Sequence, residues 1–271
     1  MVQNSKSSIN KVYFRNGASH RDGADVSFAD IVKYFGFKSA KVGNWVTKEQ
    51  QQKAANLFFD AFCDLMDILS IPPEAISLRG SLSLAYGTGG SKHVQAHYNG
   101  ATRTISLAKN AGGGALAHEW FHAYDHYIAP HAFDGASNTV FASELWLNEL
   151  AKPVLHPLNN ALFDAFESVF LNPVTKDSSD LVRVSIKADK QLNSFYYARP
   201  QELAARAFER VVQESTITNH FLVAGTKQSN EAKIGLYPNH QQLALIQKHF
   251  LGYFFALGQA LNTKKAEDVK Q

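Results

Sequence analysis

The chain has 271 residues, 45% of them hydrophobic and 12% aromatic, enough to bury a substantial core as one domain or as two closely joined lobes. Its formal charge of +3 is small for that length, and no basic run is interleaved with aromatics as a nucleic-acid groove requires, so nucleic acid is not indicated as a partner. A single cysteine, Cys63, excludes an intramolecular disulfide and a cysteine-rich zinc knuckle, and the apolar run 250–257 is far too short to span a bilayer.

The amino terminus, MVQNSKSSINKVYFRNG, has no apolar stretch of the secretory type, so a cytoplasmic protein without membrane association is expected. Residues 27–35 and 47–69 read as helices, the second with apolar residues at three and four spacing, and they form a helical entry lobe over 1–75. Cys63, inside LFFDAFCDLMDIL, reads as a packed core position. Residues 81–86 alternate as a strand with Leu82, Leu84 and Tyr86 on one face, and 94–98 with 102–107 read as a hairpin around Asn99-Gly100. The stretch 87–92 lacks Walker spacing, because Lys92 stands where the second glycine belongs, and it reads as a loop. Residues 111–114 form a glycine turn that opens a helix over 115–128; free backbone N–H groups there could meet an anion, but a tight strand-to-helix turn is the simpler reading.

That helix carries His118-Glu119-Trp120-Phe121-His122. Residues four apart on an α-helix share a face about 6 Å apart along the axis, so both imidazoles can bind one ion. Glu119 sits one step round the helix, where its carboxylate can take a proton from a water on that ion. A catalytic zinc usually takes three protein ligands, so a third is needed. His126 stands eight residues after His118, about 12 Å along an unbroken helix, and no glycine in 123–128 reverses the chain; it belongs behind the ligands, to the cleft or to the surface. Asp125, on nearly the same face, either orients a histidine or a bound water, or is a solvated helix residue.

Further helices are expected at 143–155, 160–171, 177–192, 200–212 and 240–261. Pro200 suits the first position of its helix, which places Glu202 in the first turn. Glu202 and Glu209 are seven apart and share a face, so periodicity does not choose between them as third ligand, and Arg206 can pair with either. The whole is α+β and helix-rich, with a small sheet packed on the HExxH helix: a core over 76–262 follows the entry lobe, and a solvated tail over 263–271 ends the chain.

The blocks YFGFKSAKVGNWV, IPPEAISLRGSLSLAYGTGG, AHYNGATRTISLAKNAGGGALAHEWFHAYDHY, ARPQELAARAFE and LYP, spread over 34–261, together resemble a zincin-type metallopeptidase-like family. It is the first of the large polyvalent-protein-associated domains of phage and conjugative-element proteins. The chain is also similar to bacterial proteins named after the metallopeptidase-like region of calcium-activated chloride channel regulators. The resemblance implies a zincin-like fold and zinc-dependent peptidase activity, with His118 and His122 as ligands, Glu119 as base and Glu202 as third ligand. Other zincins with a glutamate ligand share a Glu-x-x-Ala-x-x-Phe frame, which fits Glu202, Ala205 and Phe208. Phe121 departs from the glycine the family often has there; its ring would face away from the metal. The first two dozen residues lie outside the resemblance.

A zinc metallopeptidase with Zn2+ as cofactor and a peptide or protein as substrate is therefore the leading expectation. An extended peptide would lie along an edge strand, and Tyr197, just before the Glu202 helix, is the candidate oxyanion donor, with Tyr196, Arg199 and His126 as alternatives. The alternative is a catalytically inactive zincin-like fold acting as a metal-stabilised protein- or peptide-binding module, against which Glu119 speaks, because a structural site needs no base. A hydrolase of small amides is a third reading, which a deep closed pocket would favour.

Overall fold

The computed structural model describes residues 9, 11–88, 96–108 and 113–268. It is mixed α+β and rich in helix, as expected. Contacts divide the chain into two compact units, one made of Met1–Asp67, Pro73–Ala123 and Thr216–Ala224, the other of Ile68–Pro72, Tyr124–Ser215 and Gly225–Gln271.

The first unit opens with helix α1 (Phe28–Phe35), which starts where Ser27 and Asp30 exchange a reciprocal capping box and stops at Gly36, whose φ of 75° suits a left-handed cap. Strand β1 (Ser39–Val42) follows, then the long helix α2 (Lys48–Leu69) and the short α3 (Pro73–Ile76). Strands β2 (Ser83–Tyr86), β3 (Ala96–Asn99) and β4 (Thr104–Leu107) complete a four-stranded sheet of order β1-β2-β4-β3. β2 runs parallel to both β1 and β4, with Ser83 opposite Ser39 and Thr104, whereas β3 is an antiparallel edge with Ala96 opposite Leu107. The hairpin is therefore present; its expected start at 94–95, residues 89–92 of the glycine loop and 111–112 of the glycine turn lie outside the described residues. β1 was not expected. Instead of one buried face, all four residues of β2 are buried, as suits a strand flanked by parallel neighbours. The core is aromatic: Phe28, Phe35, Phe58 and Phe62 from the two helices interlock, and Tyr86 and Phe221 close on Phe58. The segment ahead of α1 is tied to α2 by Arg15 on Asp64 and Arg21 on Asp60.

Helix α4 (Leu116–Ala132) contributes 116–123 to this unit and its remainder to the second. It runs on past the expected end at 128, with Pro130 tolerated in the last turn. The second unit continues with β5 (Phe133–Asp134), α5 (Ala142–Trp146), β6 (Lys152–Pro153), α6 (Pro157–Phe170), α7 (Asp180–Leu192), α8 (Pro200–Gln213), α9 (Asn230–Lys233) and α10 (His240–Asp268). The helix expected over 143–155 ends early, because Asn148 turns the chain, its Oδ1 accepting from Leu150 N at 3.0 Å, and Pro153 pairs with Phe133 in a two-stranded ribbon. The helix of α10 continues to Asp268 through residues expected as a tail. α6, α8 and α10 pack around Phe166, Phe170, Phe208, Phe250 and Phe254, all buried. Among the described residues no helix is long and apolar enough to cross a membrane.

Candidate metal centre

The turn into α4 is dictated by two glycines. A Cβ on Gly113 would lie 2.5 Å from the Phe221 ring and 2.6 Å from the Phe221 Cα, and Gly114 has φ of 110°, a region that side chains disfavour. The segment 219–224 then grips the helix start: Gly114 N donates to Phe221 O at 2.8 Å, Ala224 N to Gly114 O at 3.0 Å, and Ala117 N to Leu222 O at 3.0 Å. The Gly114 and Ala117 amides are thus committed to carbonyls, as in a tight strand-to-helix turn. Trp120, wholly buried, donates Nε1 to Ile76 O at 2.9 Å and fixes the helix rotation, and Phe121 is equally buried on the core side.

That rotation brings His118 and His122 together. Their Nε2 atoms are 3.0 Å apart and the rings meet nearly at right angles, 4.6 Å between centroids. Two nitrogens on one tetrahedral zinc, bonded at about 2.0–2.1 Å, would be about 3.3 Å apart, so the pair fits such an ion. Glu202, the third ligand that the resemblance implies, stands in the first turn of α8 in the second unit. Two imidazole nitrogens and a carboxylate oxygen are a donor set zinc accepts. Glu119 turns its Oε2 to the sheet edge, where Tyr98 N of β3 donates to it at 2.6 Å.

α8 is buried on almost every face, and the charged residues Glu202, Arg206 and Glu209 are 8%, 3% and 5% exposed. Buried charge of this kind is expensive and marks a place where the charge has a use. Burial pulls the Arg206 guanidinium below its usual range, and Glu202 is foremost among the groups that hold it up. Arg206 donates to Leu236 O, Ser185 Oγ and Tyr197 O. Glu209 accepts the Tyr237 hydroxyl at 3.1 Å. The Tyr197 ring lies 5.6 Å from the Arg206 guanidinium carbon and edge-on to Tyr196, while Arg199 is exposed and bonded to Phe195 O.

Asp125 is not the solvated helix residue that one sequence reading made it. It is fully buried, and its carboxylate accepts Ser143 N at 2.8 Å and Ser143 Oγ at 2.5 Å, so it anchors α5. Burial pushes its pKa up to about 7, against the lowering effect of the Ser143 bonds. His126 is also buried, its Nε2 bonded to Asn138 O at 2.6 Å. A second group, His20, Asp64 and Asp67, also gathers candidate ligand atoms, but Arg15 takes both oxygens of Asp64 at 2.7 Å and Asn219 shares one of them, so it is an ion-paired strap. Sequence reasoning missed Tyr98, which meets Glu119 through its backbone N–H and so leaves no side-chain signal.

No curated protein and no solved structure matches the chain at a significant level. Residues 188–261, which hold Tyr197, Glu202 and Glu209 and leave the HExxH helix outside, match the large polyvalent protein-associated domain 1 family.

Proposed function

We propose that the chain is a zinc-dependent metallopeptidase of zincin-like character, with His118, His122 and Glu202 as metal ligands. The observation that carries this reading is the 3.0 Å approach of the two Nε2 atoms, beside a carboxylate one step round the same helix. When bound, zinc supplies a Lewis acid that polarises the scissile carbonyl and acidifies water. Glu119 is the general base: its carboxylate takes a proton from the attacking water and delivers it to the leaving amine nitrogen. The Tyr98 N–H fixes the direction of that carboxylate and ties it to β3, the antiparallel edge of the sheet. An extended peptide lying along that edge would therefore run past the base, with main-chain hydrogen bonds that tolerate many sequences. Tyr197 donates its hydroxyl to the oxyanion that develops at the scissile carbon.

Metal content by mass spectrometry of gently purified protein tests the ligand set. About one zinc per chain is expected, lost in His118→Ala, reduced in Glu202→Ala and kept in Glu209→Ala. Full zinc in His118→Ala sinks the assignment. Zinc bound as expected, with no member of a diverse peptide library cleaved, turns the reading to a metal-stabilised binding module.

A further inference from the structure

The connection between α7 and α8 is held from two sides. On α7, Asp189 is 6% exposed and accepts three consecutive backbone N–H groups: Tyr196 at 3.2 Å and Tyr197 at 3.0 Å on Oδ1, and Ala198 at 2.8 Å on Oδ2. Burial opposes ionisation there, yet the three amide bonds outweigh it and hold the pKa below the usual range. From α8, Arg206 donates Nη2 to Tyr197 O at 2.6 Å and to Ser185 Oγ at 3.1 Å, and Nε to Leu236 O at 2.8 Å, and its guanidinium faces the Tyr197 ring. The amide and the carbonyl of Tyr197 are thus both bound to buried charged groups. The same turn starts α8, since Glu202 N and Leu203 N both donate to Arg199 O at 3.0 Å.

Packing alone does not call for this arrangement. An apolar residue at 206 would spare the desolvation of a guanidinium, a cost of several kcal/mol on the usual scale for a buried ion. Arg206 even leaves Nη1 without a hydrogen bond. Two buried charges gripping one turn serve to fix its geometry, and that turn carries the candidate donor Tyr197 and leads into the helix of the candidate ligand Glu202.

We propose that Asp189 and Arg206 are positioning residues that lock the 195–199 turn, and through it present Tyr197 and Glu202 in a single orientation to the metal and substrate. This inference rests on the metal-site reading above. Neither residue touches the reacting atoms; each acts through the backbone of the turn.

The test measures zinc affinity by chelator competition, and the visible absorption of cobalt-loaded protein, on the intact chain. The variants are Asp189→Asn, Arg206→Lys and Ser185→Ala, with His118→Ala as the control that removes a ligand. Asp189→Asn keeps an oxygen for two of the three amides, so it leaves the fold in place and carries the test should Arg206→Lys fail to fold. Far-UV circular dichroism at the assay temperature identifies the folded variants. Asp189→Asn and Arg206→Lys are expected to weaken zinc binding by about 10–100-fold, the range for residues that orient ligands, and to shift the cobalt bands; Ser185→Ala, which removes one of four contacts of Arg206, moves them less. Wild-type affinity and spectrum in both folded variants, with binding abolished in His118→Ala, overturn the positioning role and leave the metal site standing. If wild type binds no zinc, or binds it equally well without His118, the metal-site reading fails and the positioning role falls with it.

Discussion

Glu119 and Asp125 lie on one helix, and their surroundings put the two carboxyls to different uses. Glu119 is partly accessible, and its Oε2 accepts the Tyr98 N–H. Replacing it with glutamine keeps an oxygen for the Tyr98 N–H and removes only the proposed base. Glu119→Gln should retain zinc while cleavage of any peptide substrate falls by at least about 100-fold, at the lower end of general-base contributions; comparable turnover by the variant would take Glu119 out of the mechanism. Asp125 is sealed in, and its pKa of about 7 lies above its usual 3.8. Between those values the folded chain holds a proton that the unfolded chain has lost, so stability falls as pH rises through that window and the penalty is complete above about pH 7. The shift corresponds to a few kcal/mol at most. Asp125→Asn removes that slope: relative to wild type, the variant should gain stability between pH 4.5 and pH 8, read from urea midpoints at each pH. Parallel wild-type and variant curves would show that the carboxyl ionises as easily folded as unfolded.

At the scale of elements, the entrance to α4 is where sequence most directly dictates the site. Gly113→Ala drives a methyl into both the ring and the backbone of Phe221, so relief requires the 219–224 segment to move, and that segment holds Gly114 and Ala117. A loss of about 1–3 kcal/mol in unfolding free energy is expected, as for overpacked cores, together with weaker zinc binding because the helix start shifts. Unchanged denaturant midpoint and affinity would mean that the turn is looser than its contacts imply. The histidine pair of this helix was readable because helical geometry alone brings i and i+4 side chains together. The same local logic gave α2, through its apolar spacing, and α8, through the proline at its start. It failed where burial overrode pattern. Leu147, Leu150 and Leu155 fall inside the helix expected over 143–155, but they are 47%, 88% and 93% exposed, and the chain there leaves the helix to pair with Phe133 and Asp134. β1 escaped notice because four half-exposed residues carry too little period to separate an edge strand from a loop. The roles of Asp125, Asp189 and Tyr98 depend on partners that only tertiary structure supplies.

For the whole molecule, the proposed ligands come from distant parts of the chain: His118 and His122 are close in sequence, whereas Glu202 follows His122 by 80 residues. Such a set does not exist in the unfolded chain, where only the i, i+4 histidine pair offers weak binding, so a bound ion stabilises the native state by mass action. The gain is about 4 kcal/mol when free zinc stands 1,000-fold above its dissociation constant, and at roughly 2–4 °C per kcal/mol for a chain near this size the unfolding midpoint should rise by about 10 °C. Thermal melts with chelator and then with graded free zinc would read this directly. Wild type should climb with the logarithm of free zinc, Glu202→Ala should climb less at the same concentrations, and His118→Ala should not respond. The Glu202 variant separates two kinds of site: if it climbs as steeply as wild type, the metal is held by the histidine pair without the family-matched helix, and the stability gain owes nothing to closing those 80 residues of chain.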